Sequence, residues 1–326
     1  DWIEADFGNK IKAVYSDPMN LQGDEGKDNI CELEIIEGKD GIVIPFSKSF
    51  VSEDVAIETQ FKMAECYFEL FKKHLKLKKK KIADRELEKG MKILKYLKDN
   101  FPAEKIGARV AYLHGNFAQE LKNYKKAISY YKELINKWPE NPFAPKGQYK
   151  IAQCFEKSGE FKKACEEYVR LAYTFPESSL IGDAIIRIGK YYFDQKLYER
   201  AYNVLSRLEV KFPHHPLVER VSLKSIYALS LKAASYPEDQ KETRKARKDK
   251  YNIAAEEYSN FLEKYPKSKL KPQAYYWGGD AYMKIGNYQK AYIMFKTLTL
   301  NFPESKWAAY ARGQLTAPVF EKVDVK

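Results

Sequence analysis

The chain is poor in the residues that carry chemistry. Its four cysteines, Cys31, Cys66, Cys154 and Cys165, form no C-x-x-C pair and no C-x-x-C-H run, and its four histidines show no zinc-ligand spacing. His214-His215 is an adjacent pair between two prolines, and neighbours in an extended loop seldom chelate one ion. No run of 18 apolar residues occurs, so no helix is expected to cross a membrane. Gly 16 and Pro 14 are too few for a collagen-like or low-complexity chain. There is no Gly-rich phosphate loop, no nucleophile–base constellation and no set-apart pair of carboxylates. These absences argue against an enzyme and call for no cofactor and no metal.

Arginine is also scarce. Lys+Arg 57 against Asp+Glu 45 gives a net charge of +12, and only ten of the 57 cations are Arg. The lysines are spread along the chain and mixed with glutamate. Lysine is a hydrated point charge suited to a solvated face, whereas base readers use arginine forks. Nucleic acid is therefore not the favoured partner on charge. At 326 residues and 44% apolar composition the chain has the length and hydrophobicity for a packed core, in one long domain or two small ones. Tyrosine stands out at 25, and a structural cause is expected.

A repeat organises most of the sequence. Aromatic-Pro pairs recur at Phe101-Pro102, Trp138-Pro139, Phe175-Pro176, Phe212-Pro213, Tyr265-Pro266 and Phe302-Pro303, with prolines 37, 37, 37, 53 and 37 residues apart. Twelve residues before each Pro stands a small residue: Gly90, Ala127, Ala164, Ala201, Ala254 and Ala291. Eight before it stands a large one: Leu94, Tyr131, Tyr168, Leu205, Tyr258 and Phe295. Thirteen after four of the prolines come Gly115, Ala152, Gly189 and Gly279. Small residues let two helices approach, and large ones fill the groove between them. Gly159 and Gly286 suit a left-handed close of the first helix, the Pro ends the second, and Ser178, Ser268 and Ser305 can cap the next. Each unit is a helix–turn–helix that needs neighbours to bury its faces.

This pattern, small-x-x-aromatic and then aromatic-x-x-Ala-x-x-x-aromatic closed by Pro, resembles the tetratricopeptide repeat (TPR) over about residues 55–316. The run Ala254–Tyr258, Tyr276-Trp277-Gly278-Gly279-Asp280-Ala281-Tyr282 and Phe302-Pro303-Glu304-Ser305 is similar to bacterial cell-envelope TPR proteins, including a Tol-Pal-associated periplasmic protein and an outer-membrane-assembly lipoprotein. No cysteine stands at the first position to take a lipid anchor, a departure from the lipoprotein. The resemblance implies an all-α, right-handed TPR superhelical solenoid of six helix-turn-helix repeats. A small strand-rich N-terminal arm is expected over 1–54, repeats over 55–304, and a capping helix and tail over 305–326.

Two repeats are stretched between their helices, and extended helices are expected near 70–89 and 236–250. Between Lys72 and Lys89 nine cations meet three acids, a net of +6, with Lys72, Lys73, Lys76, Lys79 and Lys80 among them. The second stretch holds Arg244, Arg247 and Lys248 and nets +2. Both read either as solvated helix ends or as docking surfaces for an acidic partner, with nucleic acid or anionic lipid as a further alternative. Lys72–Lys81 has no interleaved aromatics, which argues against stacking on single strands. In the arm, Ile35, Ile42, Ile44 and Phe46 fall in a predicted hairpin at about 32–46, with Trp2 at the terminus. It would either cap the first helix or add a strand to a partner. Cys154 and Cys165 face the core of one repeat as two buried thiols or as a disulfide, and His114 reads as a satisfied core residue.

By the resemblance, the inner, concave face comes from the first helices. Its usual positions map to Arg109, Tyr112, Asn116 and Gln119, then Lys146, Tyr149, Gln153 and Glu156, then Asp183, Ile186, Lys190 and Phe193. Arg220, Tyr227, Gln273, Tyr276, Asp280 and Met283 follow. Amide, aromatic and mixed charge suit an extended peptide or a partner's loop. The Lys/Asn clamp of chaperone-binding TPR domains is not reproduced. The expected function is a non-catalytic scaffold that binds protein partners, self-association included, and organises a multisubunit assembly. The chain begins at Asp1, as a processed or trimmed protein does, and an exported bacterial compartment such as the periplasm is expected. An exported, Lys-rich TPR chain with an added arm is similar to the TPR subunits that organise nitrite oxidoreductase tubules in anammox bacteria. The alternatives are a periplasmic peptide-binding adaptor of envelope assembly and a Lys-rich nucleic-acid or anionic-surface binder.

Overall fold

The computed structural model describes residues 53–237 and 240–321, and the backbone of residues 12–15, 31–34, 36–38 and 41–43. The chain divides into two units, residues 1–59 and 60–326. In the first, β1 (Lys12–Tyr15) pairs antiparallel with β2 (Cys31–Glu34), and β3 (Ile36–Gly38) with β4 (Gly41–Val43). Isolated two-stranded ribbons are marginal in water, and pieces of three or four residues do not make a folded arm. The strand-rich arm expected from the sequence is thus not supported. Trp2, Ile35, Ile44 and Phe46 lie outside the described residues, and of Ile42 only the backbone is described.

The rest is helical. Pair one is α1 (Glu53–Lys76) and α2 (Lys80–Asn100), and pair two is α3 (Ala103–Glu120) and α4 (Tyr124–Lys137). Pair three is α5 (Phe143–Lys157) and α6 (Phe161–Thr174), and pair four is α7 (Ile181–Asp194) and α8 (Tyr198–Lys211). Pair five is α9 (Val218–Ala234) and α10 (Lys241–Lys264), and pair six is α11 (Lys271–Ile285) and α12 (Tyr288–Asn301). Then come α13 (Lys306–Leu315) and a 3-10 turn at Pro318–Phe320. From α2 onward each helix packs on the next, and first helices also touch the following first helix, as α3 does α5 and α11 does α13. That is a solenoid.

The aromatic-Pro pairs form its joints. Trp138, Phe175, Phe212, Tyr265 and Phe302 each end a second helix with ψ between 52° and 65°, and Phe101 ends α2 at ψ 152°. The Pro ring drives the residue before it out of the helical region. Each aromatic N–H still donates to the carbonyl four residues back, as Trp138 does to Leu134, so the helix stops without an orphaned amide.

Small residues set the distance within a pair. Ala127, Ala164, Ala201, Ala254, Ala291 and Gly90 are all buried on second helices. A Cβ on Gly279 would stand 2.5 Å from Cε1 of Phe295 in the same pair, and one on Gly90 would stand 2.7 Å from Cζ of Phe117 across the joint from pair one to pair two. At the turn between the two helices, Gly159 and Gly286 have φ of 83° and 80°, as their place in the repeat predicts. Lys122 and Lys196 take the same left-handed turn at φ 60° and 58°.

Tyrosine abundance has its cause here. Tyr131, Tyr168 and Tyr258 are the largest fully buried side chains, and each hydroxyl finds a partner inside. Tyr131 donates to Asn116 Oδ1 at 2.8 Å and Gln119 Oε1 at 3.1 Å. Tyr168 donates to Glu156 Oε2 at 3.1 Å, and the Tyr258 and Ser230 hydroxyls lie 3.3 Å apart. Cys154 and Cys165 are free buried thiols, not a disulfide, and burial pushes the Cys154 thiol up to about 11. His114 is not the satisfied residue expected. Its Nε2 is buried without a hydrogen bond, and the ring lies against Tyr130, 5.0 Å away.

At the C-terminal end Ser305 caps α13 by accepting from the Trp307 amide at 3.2 Å. The 3-10 turn then buries Phe320 within 5.8 Å of Tyr292 and 6.3 Å of Phe295. The open core of pair six is closed by these two elements.

Candidate protein-binding face

The first helices carry most of the sequence-predicted site residues, and the two halves of the stack use them differently. In pairs two to four they are engaged with one another. Arg109 Nη2 lies 2.8 Å from Glu65 Oε1, with its guanidinium 4.4 Å above the Phe61 ring. Tyr112 packs 6.0 Å from Tyr131 and 5.1 Å from Phe143, and burial raises its hydroxyl pKa. Asn116 and Gln119 are buried and spent on Tyr131, so they do not line an open groove. Lys146 is exposed, with its ammonium 4.9 Å over Phe143.

Tyr149 stands edge-on to Tyr168 at 5.3 Å, and hydrogen bonds tie it to Gln153 and Arg187. Arg187 reaches across the joint to Glu156 at 3.0 Å. Asp183 lies 3.6 Å from His215 Nε2, and Lys190 pairs with Asp194 at 2.8 Å. Arg187–Glu156 links the first helices of pairs three and four, whereas Asp183 meets the connection after α8 and Lys190–Asp194 lies within α7. The pairs are half-exposed, so each contributes on the order of 0.2–1 kcal/mol.

From Phe193 onward the face is aromatic. Phe193 on α7 lies 6.3 Å from Tyr227 on α9, at 29°. Tyr227 stacks on Trp277 of α11 at 4.1 Å and 14°. Trp277 meets Trp307 of α13 edge-on at 5.6 Å. Beside this row, Tyr276 lies 5.4 Å from Trp307 and 5.8 Å from Tyr310. Lys224 holds its ammonium 4.5 Å over Phe193. Trp277, Trp307, Tyr310 and Lys224 are absent from the sequence-predicted set. The run Tyr275-Tyr276-Trp277 was the available signal, because three adjacent aromatics cannot all face one core. Asp280, one turn beyond Tyr276, is half-buried in this aromatic half, and burial raises its carboxyl pKa while Lys284 opposes the rise.

The two charged extensions are helical. α1 and α2 run to a tight turn at Leu77–Lys79, and His74 Nδ1 clasps Glu86 Oε2 across it at 2.7 Å. Lys73, Lys76, Lys79 and Lys80 are exposed around the turn, while Lys72 is half-buried and bonded to Glu69 at 2.9 Å. In α10 the added residues precede Tyr251. Arg247 lies 5.8 Å over the Tyr251 ring, Lys250 is bonded to Glu199 of α8 at 2.8 Å, and Arg244 and Lys248 face outward. Among the described residues no group of three or more His, Cys, Asp or Glu could hold a metal, and no helix is long and apolar enough to cross a membrane.

The tetratricopeptide-repeat family model matches residues 109–141, 147–178 and 273–305. Those segments fall on pairs two, three and six; the stretched pairs one and five are not among them. No curated protein matches the chain. Among solved structures it is similar to YrrB, a TPR protein with an unusual peptide-binding site, at 15% identity over 67% of this chain and 96% of that one, TM-score 0.45. It is similar to MamA at 17% identity over 61% and 93%, TM-score 0.42. It is similar to PilF of Pseudomonas aeruginosa at 12% identity over 78% and 99%, TM-score 0.42. The three matched segments are tetratricopeptide repeats, and they lie in phase with the other helix pairs of the solenoid.

Proposed function

We propose that this chain is a non-catalytic scaffold that binds protein partners and organises a multisubunit assembly in an exported bacterial compartment. The observation that carries the reading is the aromatic row Phe193–Tyr227–Trp277–Trp307. It crosses three helix pairs and the cap, and it stays half-exposed where a core would have buried it. Rigid aromatic side chains give large contact area at low entropic cost and dominate protein interfaces. The joints between units are locked by Arg187–Glu156 and Lys250–Glu199, so the face is preorganised before a partner arrives. The exposed lysines at the α1–α2 turn give such a scaffold a second, electrostatic docking point for an acidic surface. An exported respiratory-enzyme assembly of the nitrite oxidoreductase type is one complex this reading fits.

The test is cross-linking of the native protein under mild salt, followed by mass spectrometry with stoichiometry. One abundant partner at fixed ratio, cross-linked near α9–α13 or the α1–α2 turn, is the expected result. A monomer carrying many substoichiometric partners would overturn it in favour of a transient adaptor.

A further inference from the structure

The hairpin tip of pair one differs from its neighbours in reach and in charge. α2 begins ten residues before Gly90, whereas α4 begins three before Ala127, the equivalent residue of pair two. The seven extra residues carry the first tip about 10 Å past the second. From Lys73 to Ala83 there are six lysines, all exposed, and no acid. The equivalent windows 117–127 and 154–164 hold three lysines each, against one acid and two. Among the described residues no carboxylate pairs with any of the six; the ion pairs beside the tip use Lys72 and His74.

This is not how a helix end built for stability alone is made. Acids suit the first turn of a helix, yet α2 has none there, and Lys79 at its start supplies no side-chain cap. Two large apolar side chains, Leu77 and Ile82, lie 54% and 42% exposed among the lysines. The turn satisfies its own amides: Leu77, Lys78 and Lys79 donate to the carbonyls of Lys73, Leu75 and His74 at 3.1, 3.1 and 2.9 Å. His74 clasps Glu86 from helix to helix, so the tip is held as one piece.

We propose that the α1–α2 tip docks on an anionic lipid surface, with Leu77 and Ile82 entering the headgroup layer and the lysines meeting lipid phosphates. The proposal rests on the electrostatic docking point of the scaffold reading and names its counterpart. Lysine stems lie along apolar surroundings while their ammonium groups stay at the headgroups, so cations and apolar side chains can act together there. Each lysine adds attraction to a negatively charged leaflet. A turn whose amides are already bonded enters such a layer without exposing bare backbone. A projecting knob suits a deformable surface, whereas a folded protein would have to offer a pocket for it. Nucleic acid would leave Leu77 and Ile82 without a counterpart, and no aromatic stands between Lys73 and Ala83 to stack on bases.

The test is flotation of the full chain with vesicles of phosphatidylcholine alone, and with vesicles in which about 30% is phosphatidylglycerol, at low salt. Binding to the anionic vesicles and not to the neutral ones is expected. Lys80→Glu/Lys81→Glu should weaken it about tenfold or more, and folding is kept because acids suit that helix start. Leu77→Ser/Ile82→Ser should weaken it about threefold or more. Lys267→Glu/Lys269→Glu makes the same charge change at exposed positions of the connection after α10, on the opposite edge, and should leave it unchanged. Equal binding to both vesicles, binding to neither, or full binding by either tip variant would overturn the proposal. Capture of the chain by polyglutamate or duplex DNA without vesicle binding would overturn it in favour of an acidic protein or a nucleic acid. Circular dichroism of each variant separates loss of fold from loss of binding. Recovery of a stoichiometric native partner in the absence of lipid reports on the scaffold reading, so the two can fail separately.

Discussion

The ring of Tyr131 fills the space that a side chain on Gly115 would need. A Cβ built there would stand 2.7 Å from both Cδ1 and Cζ of the ring. Neither residue can change alone, because the phenol also reaches past Gly115 to Asn116 and Gln119 on the same helix.

Gly115→Ala is therefore expected to cost about 1–3 kcal/mol by overpacking. Tyr131→Phe relieves no crowding and leaves two buried amide oxygens unpaired, at about 1–3 kcal/mol. Urea unfolding of the two single variants checks both values. A Gly115→Ala variant as stable as the parent would mean that the helices slide apart freely.

Lys122→Gly is expected to stabilise the chain by about 0.5–1 kcal/mol. Lys122 sits at φ 60°, where a side chain costs about 1–2 kcal/mol and glycine costs little. Part of the gain is lost to the greater freedom of glycine in the unfolded chain. Thermal unfolding of Lys122→Gly and Lys196→Gly measures the gain, and the two should add because different pairs hold them.

The repeat itself was legible. Six prolines in phase located the second helix of every pair, and Gly159 and Gly286 located the turns. The lysines that take the same left-handed turn were not legible, since nothing in a lysine announces positive φ and the helix pair imposes it. Among the groove candidates, Asn116 and Gln119 were placed by their repeat position. That position could not show that the Tyr131 hydroxyl, on another helix, draws both inward. The aromatic row is harder still. Tyr227 and Trp277 meet only because pair five stacks on pair six at a particular rotation, a relation no single repeat contains.

His114 makes stability depend on pH. Burial lowers its pKa to about 4 from the usual 6.5. Between those values the unfolded chain binds a proton that the folded chain refuses, so stability falls as pH drops from about 6.5 toward 4. The full loss is about 3 kcal/mol. Denaturation curves at pH 7.5 and 4.5 for the parent and His114→Leu should converge differently, with the variant losing less on acidification.

Tyr149→Ala and Trp277→Ala should separate the two halves of the binding face. Trp277 bridges Tyr227 and Trp307, so its loss opens the row and should weaken partner recovery at least tenfold. Tyr149 is held by Gln153, Arg187 and Tyr168, and its loss should act mainly on stability. Pull-down and melting temperature, measured together, distinguish the outcomes.

Native thiol labelling should follow exposure. Cys66 is exposed and should react, whereas Cys154 and Cys165 should stay unmodified until the chain unfolds. Mass-spectrometric mapping after brief maleimide treatment reads this directly.

Both insertions lie between the two helices of a pair, at the far end of the hairpin from the aromatic-Pro joint. Length added there changes neither the joint nor the rotation from one unit to the next. The stack therefore behaves as a rail to which outgrowths can be attached at the tips while its gauge is kept. The short turns at Lys122-Asn123 and Gly286-Asn287 occupy the same station in pairs two and six, and by the same logic they are the places where a foreign helix or a label could be grafted without derailing the units on either side.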